Sequence, residues 1–203
     1  MRIFAIGRNF AEHAKELNNP VPSEPLIFTK PDTALVKNGD PMFMPDFTND
    51  LHFEVELVIR LCKNGKNIEP QFARKYFDKV GIGIDFTARD LQQKFKDKGW
   101  PWDLAKGFDG AAPVSNFVSL NNYEDLKNIN FSLYKNGEKV QDGNTSHMLF
   151  SFENIISYIS KFITLRIGDL IFCGTPMGVG KTEIGDHFEA FIESKKMLDC
   201  KIR

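Results

Sequence analysis

Apolar and polar positions alternate most sharply at HFEVELVIRL, residues 52–61. Phe53, Val55, Leu57 and Ile59 are apolar, while His52, Glu54 and Glu56 occupy the even positions. Side chains alternate faces along a strand, so the pattern predicts a strand with Glu54 and Glu56 on one side, roughly 6.5–7 Å apart at Cα. LIFTK (26–30) reads as another strand, stopped by Pro31. KVGIGID (79–85) reads as a buried one, and DLIFCG and HFEAFIES as two more. Two Asn-Gly pairs, Asn64-Gly65 and Asn136-Gly137, predict hairpins, the first closing HFEVELVIRL and the second folding FSLYKNGEKV. Helical spacing is fainter. Phe10, Ala14 and Leu17 predict a short helix from Arg8 to Leu17, and Pro70 opens another that runs to Phe77. TARDLQQKFKDKG carries Ala88, Leu91 and Phe95 on one side and Gly99 after its end. Ser151 caps a helix striped by Phe152, Ile155, Ile156, Ile159, Phe162 and Ile163. Strands dominate and hairpins join several of them, so the expectation is α+β or a mostly β roll, without the regular strand-helix alternation of a doubly wound sheet.

Composition narrows the classes. The chain has 203 residues, no linker and no internal repeat, which predicts a single domain over residues 1–203. A formal net charge of -1 predicts no sequence-independent attraction to nucleic acid. No run approaches the length of a membrane span, and the start, MRIFAIGRNF, places Arg2 and Arg8 too close together for a signal peptide. Cys62, Cys173 and Cys200 are few, odd in number and far apart, so they read as free thiols in a reducing cytoplasm rather than a disulfide frame or a zinc site.

Five stretches hold candidate chemistry, each with a bland alternative. Glu54 and Glu56 are either a solvated outer face or two ligands of a cation, because like charges at that range repel unless water or an ion stands between them. Asp85, at the exit of KVGIGID, is either an N-cap for the following helix or a third oxygen ligand. Three carboxylates suit a hard ion, Mg2+ or Mn2+, and leave about three of six octahedral positions for water or substrate. His13 and Glu16 are either a surface pair at i, i+3 or a general base whose tautomer the carboxylate sets. Lys106, in the aromatic-flanked loop WPWDLAKGFDG, and Lys30 are either solvated or meet a substrate carboxylate or oxyanion. CGTPMGVGKT fails as a phosphate loop, since Thr175 stands where the pattern needs glycine. Its backbone N–H groups and the Thr175 hydroxyl still suit an anion.

Together GRNFAEH, FTKP, HFEVELVI, GIGIDFTARDLQ, PWDLAKGFDGAAPV, SFENIISYIS and GDLIFCGTPMGVG resemble, in order and from end to end, the fumarylacetoacetate hydrolase family. The likeness is nearest to its small acylpyruvase and oxaloacetate decarboxylase branch. Met1 lies six residues before GRNF, as expected of that short form. The resemblance implies a mixed β-roll with short peripheral helices, commonly a homodimer. It implies that Glu54, Glu56 and Asp85 bind the metal and that His13 and Glu16 activate water. Lys106 matches the lysine of the family's LAK-type segment, Lys30 that of its F-x-K-P segment. Arg89 and Gln92 fall beside metal and substrate, and Thr175 in the turn that meets the substrate carboxylate. Met177 departs from the lysine or other polar residue that relatives often carry, which bears on substrate preference.

The expected enzyme is therefore Mg2+- or Mn2+-dependent and acts on a small 2-oxo acid. Acylpyruvate hydrolysis to pyruvate and a carboxylic acid comes first, because of the His13–Glu16 pair, with oxaloacetate decarboxylation beside it. Isomerisation or decarboxylation of dienoic acids such as 2-hydroxyhepta-2,4-diene-1,7-dioate shares the same enolate chemistry. An inactive metal-binding module is the rival from another class. It would keep the acids and lose the base or the lysine, and all of these are present in the sequence.

Overall fold

The computed structural model describes residues 1–16 and 20–203, apart from the side chain of Ala14. The chain opens with β1 (Ile3–Gly7), α1 (Ala11–Glu16) and β2 (Leu26–Lys30), and then β3 (Leu35–Lys37). Helix α1 starts later than the spacing predicts. Phe10 precedes it in a bridge to Met148, and Leu17 lies outside the described residues.

The alternating stretch forms two strands, β4 (Leu51–Phe53) and β5 (Val55–Leu61), broken at Glu54. No tight hairpin follows. Gly65 pairs with Leu165, and the return to β6 (Phe77–Ile84) passes through α2 (Pro70–Ala73) and a 3-10 turn at Arg74–Tyr76. Next come β7 (Thr87–Ala88), α3 (Arg89–Lys98) and α4 (Asp103–Lys106), so Thr87 and Ala88 are strand rather than helix. Gly99 closes α3 with φ 66°, as its position after the helix predicts.

Two short strands, β8 (Ala112–Val114) and β9 (Val118–Ser119), lead to the hairpin of β10 (Asn130–Lys135) and β11 (Glu138–Asn144). Asn136 and Gly137 both have positive φ, 53° and 87°, the twist a two-residue hairpin requires. Helix α5 (Phe152–Phe162) starts at Ser151, whose Oγ accepts from the Asn154 N–H. Its stripe buries Phe152, Ile155, Ile156 and Ile159, but Phe162 is 66% exposed. The chain ends with β12 (Leu170–Phe172), β13 (Gly180–Lys181), β14 (His187–Ile192) and β15 (Lys195–Lys201).

The largest sheet runs β2-β1-β12-β5-β6-β8-β3, with β9 beside β6. Its β1/β12 and β3/β8 pairs are parallel and the others antiparallel. A second, antiparallel sheet runs β11-β10-β14-β15, and a third joins β13, β4 and β7. This curled mixed sheet with a few short helices is the α+β roll that the sequence predicts. Alternate residues of the large sheet feed two cores. Val55, Leu57 and Ile59 join Phe131, Leu133, Phe188 and α5 in the larger. Val58 joins Ile3, Ala5, Leu170 and Phe172 in the smaller. Glu56 shares the face of Val58, so the strand that fills one core carries a carboxylate at the end of the other. No helix among the described residues is long and apolar enough to cross a membrane.

Candidate active site

The break at Glu54 has a local cause. Asp85 N–H donates to the Glu54 carbonyl at 2.7 Å. Val55 N–H donates to the Gln141 side chain at 2.8 Å instead of to a strand. Released from the ladder, Glu54 turns toward Glu56 and Asp85, and one carboxylate oxygen from each lies within 4.8 Å of the others. Room for the cluster comes from glycines. Gly83 stands opposite Glu56, and a Cβ there would meet the Phe172 ring at 2.6 Å. Gly174, at φ 100°, directs its N–H to Glu56 Oε2 at 2.6 Å.

All three acids are buried, with 5%, 2% and 0% exposure for Glu54, Glu56 and Asp85, so the solvated-face reading fails. The cap reading of Asp85 fails too, because α3 has its N-cap at Ala88. Lys106 is just as buried and sits on α4 rather than in a loop. Its Nζ donates to Glu54 Oε2 and Asp85 Oδ2, each at 2.8 Å. Gly107 lets α4 end against Pro31, since a Cβ there would lie 2.9 Å from the proline ring. Lys30 thereby reaches the same place. Its Nζ donates to the Lys106 carbonyl and lies 2.6 Å from Asp85 Oδ1. Arg89 Nη2 pairs with Glu54 Oε1 at 2.5 Å, and its Nη1 donates to Gln92 Oε1 at 2.7 Å.

Burial opposes the charge on Glu54, but Lys106 and then Arg89 overcome it and hold its carboxyl well below the usual range. Among the described residues Glu56 has no such cation at hydrogen-bond distance. Burial first and the Asp85 charge second push its carboxyl well above the usual range. Burial lowers the Lys30 ammonium by more than Asp85 restores. It also works against Lys106, where Asp85 and Glu54 outweigh it and the pKa rises. Cys173 stands outside this group, its Sγ donating to the Ile171 carbonyl at 3.3 Å. The donor set is therefore oxygen only, and Asp85 Oδ1 lacks an aligned hydrogen bond. Buried, crowded carboxylates fit a hard divalent cation.

His13 and Glu16 stand on α1 above the acids. His13 Nδ1 lies 3.2 Å from Glu16 Oε2, and Glu16 Oε1 accepts from the Gly178 N–H at 3.0 Å. His13 is buried, while the Glu16 side chain is 28% exposed, so this is no ordinary surface pair. Thr175, also buried, completes the set in the turn after β12. His13, Glu54, Glu56, Asp85, Arg89, Gln92, Lys106 and Thr175 line one cleft, with about 390 Å³ of space not filled by atoms, open solvent at its mouth included. Lys30 and Glu16 stand behind it. Met177, at 49% exposure, is outside the lining.

Three other residues are absent from the sequence-based set. Gln141, 2% exposed, takes the Val55 N–H and donates to Thr175 Oγ1 at 2.9 Å and the Pro176 carbonyl at 3.0 Å. Nothing local signals this, because the partners are 86 and 34 residues away. Arg8 and Lys96 line the same cleft. Lys96 follows Arg89 and Gln92 at i+7 and i+4, a spacing that the helical period already places on one face.

A curled mixed sheet carries three buried acids and a His–Glu pair, and the comparisons name the family. Residues 2–203 match the sequence profile described as fumarylacetoacetate (FAA) hydrolase C-terminal, so the chain belongs to the fumarylacetoacetate hydrolase family. It is 44% identical to the oxaloacetate tautomerase FAHD1, mitochondrial, of Mus musculus, covering 99% of this chain and 91% of the mouse protein. It is 41% identical to the oxaloacetate decarboxylase, mitochondrial, of Dictyostelium discoideum, covering 91% of this chain and 85% of that one. Its fold matches the fumarylpyruvate hydrolase of Pseudomonas aeruginosa, solved in complex with Mn2+ and pyruvate, with a TM-score of 0.93 at 33% identity. That match covers 100% of this chain and 89% of the other. Named members of the family are thus enzymes: tautomerase, decarboxylase and hydrolase.

Proposed function

We propose that this chain is a divalent-metal-dependent enzyme that forms the enol or enolate of a small 2-oxo acid of the oxaloacetate class. The observation that carries this is the burial of Glu54, Glu56 and Asp85 in one cleft with Lys106 and His13, the latter 3.2 Å from Glu16. Glu54, Glu56 and Asp85 would hold Mg2+ or Mn2+. Such an ion, when bound, draws electron density from the 2-oxo group and acidifies the protons at C3. Glu16 keeps the proton on His13 Nδ1, which leaves the Nε2 lone pair as base. His13 then takes a proton from C3, and its return to the 2-oxygen completes keto-to-enol conversion. Lys106 offers the positive charge that favours the enolate oxygen. Thr175, Arg89, Gln92 and Lys30 orient the 1-carboxylate and its supports.

The relatives' names favour tautomerisation or decarboxylation over the hydrolysis that the sequence alone puts first. Hydrolysis stays as the second reading because of the same dyad. With an acylpyruvate bound, His13 takes a proton from water, the hydroxide adds at C4, the C3–C4 bond breaks to release a carboxylic acid and the enolate of pyruvate, and His13 returns the proton to C3. Three free thiols suit a reducing compartment such as the cytoplasm. The test measures enol-to-keto conversion of oxaloacetate, its decarboxylation, and acetylpyruvate cleavage, with Mg2+ and with chelator. His13→Ala should lower tautomerisation and hydrolysis by about 10²–10⁴, the range for losing a positioned base. Decarboxylation, which needs no base, should fall much less. Full turnover after chelation, or equal loss of all three in His13→Ala, overturns the assignment.

A further inference from the structure

The acids, Lys106, Arg89, Gln92 and Thr175 account for the inner end of the cleft. The same cleft is lined by two more cations, the half-buried Arg8 and Lys96, and by Trp102. They come from different elements. Lys96 continues the face of α3 that already carries Arg89 and Gln92, which places it about 10 Å further along the helix axis than Arg89. Its Nζ lies 5.8 Å from the centre of the Trp102 ring, so the aromatic face holds the ammonium at the wall.

Arg8 is there because the backbone is forced. Its φ is 59°, a left-handed conformation that non-glycine residues rarely adopt. Asn9 imposes the bend. Its Nδ2 donates to the carbonyls of Cys173 and Phe150, at 2.7 and 3.1 Å, and its Oδ1 accepts from the Phe150 N–H at 2.8 Å. A residue held in a sparsely populated conformation by a buried clamp, with its side chain in the cleft, marks a functional position. Among the described residues Arg8 has no ion pair, and it is only half-buried. Burial first and the Arg8 charge second lower the Lys96 ammonium, so the two cations repel each other. An anion between them would relieve that repulsion.

We propose that Arg8 and Lys96 form a second carboxylate-binding subsite, which makes the cleft select 2-oxo acids that carry a distal carboxylate over those that do not. This rests on the proposed reading of the inner end as the place of the 1-carboxylate and 2-oxo group. A diacid then spans the cleft, with its reacting C3 held between the two anchors and under His13. Arg serves this role better than Lys at position 8, because its planar fork takes a carboxylate through two parallel hydrogen bonds.

Calorimetry on the Mg2+-loaded protein tests the idea with two ligands, pyruvate and 2-oxoglutarate, which have one and two carboxylates. In Arg8→Gln and in Lys96→Gln the ratio of the two dissociation constants should shift by about 10- to 100-fold against 2-oxoglutarate, the worth of one charged hydrogen bond. Arg8→Lys should recover part of the shift. Lys96→Gln leaves the strained backbone untouched and so stands alone if Arg8→Gln misfolds. Equal weakening of both ligands, or of neither, overturns the subsite while leaving the inner end intact. Failure of the unmodified protein to bind pyruvate at all overturns the inner-end reading, and this inference with it.

Discussion

Replacing Gln141 by leucine removes one side chain that joins three parts of the cleft. The amide carbonyl accepts from Val55 N–H at 2.8 Å, where β5 begins just after Glu54. The amide nitrogen donates to Thr175 Oγ1 at 2.9 Å and the Pro176 carbonyl at 3.0 Å. Leucine has a similar size and no polar atoms. Gln141 is 2% exposed, so water cannot easily replace what is lost. Thr175 Oγ1 already lies 3.5 Å from the Pro176 carbonyl and can turn its hydroxyl there. Val55 N–H then remains without a partner, and the Pro176 carbonyl has a poor one. Each such group costs about 1–3 kcal/mol, so two give roughly 2–6 kcal/mol, less what the leucine gains by burial. For a chain of this size each kcal/mol lowers Tm by about 2–4 °C, which predicts a fall of roughly 4–24 °C before the leucine's gain is subtracted. Gln141→Glu keeps the acceptor for Val55 and loses only the donor, but it adds a buried charge, so its loss should grow as pH rises. Circular dichroism on heating reads all of this. A leucine variant that melts within about 2 °C of the unmodified protein refutes the argument, and the break at Glu54 then needs another cause.

Glu56 should make the proposed metal binding pH-dependent. Burial and Asp85 raise its pKa in the fold, so its protonated form contributes stability that is fully present below the usual carboxylate value of 4.5 and is lost as pH rises through the raised value. The metal-free protein should therefore lose stability over that rise. Mg2+ must displace the same proton, so affinity should climb with pH and the binding heat should vary with buffer ionisation enthalpy. Glu56→Ala should abolish binding and turnover together; flat affinity across pH counts against the cluster. The chain should also pair as a homodimer, with exposed Trp100, Leu104 and Phe162 in the contact, and light scattering that finds only 23.2 kDa at micromolar concentration contradicts this.

Short-range signals were readable in the sequence because their physics is short-range. The Asn136-Gly137 turn, the Ser151 cap and Gly99 at the end of α3 each depend on a few neighbouring atoms. The same holds for the period of two in β5, which sorts Val55, Leu57 and Ile59 from Glu56 and Val58. Long-range competition defeated the rest. Asn64-Gly65 makes no hairpin because Gly65 pairs with Leu165, and Phe162 keeps the helical period yet faces outward. The candidate residues were legible as types in order along the chain, but the choice between solvated and functional readings was not. Lysine prefers water, and nothing within reach of Lys106 along the chain says otherwise. Only the fold sets its Nζ 2.8 Å from carboxylates 52 and 21 residues away, inside a wall of β-strands. Gln141 meets partners as distant, so the sequence determined which groups are available, and the tertiary structure decided which of them meet, because desolvation and pairing depend on what surrounds a charge in space.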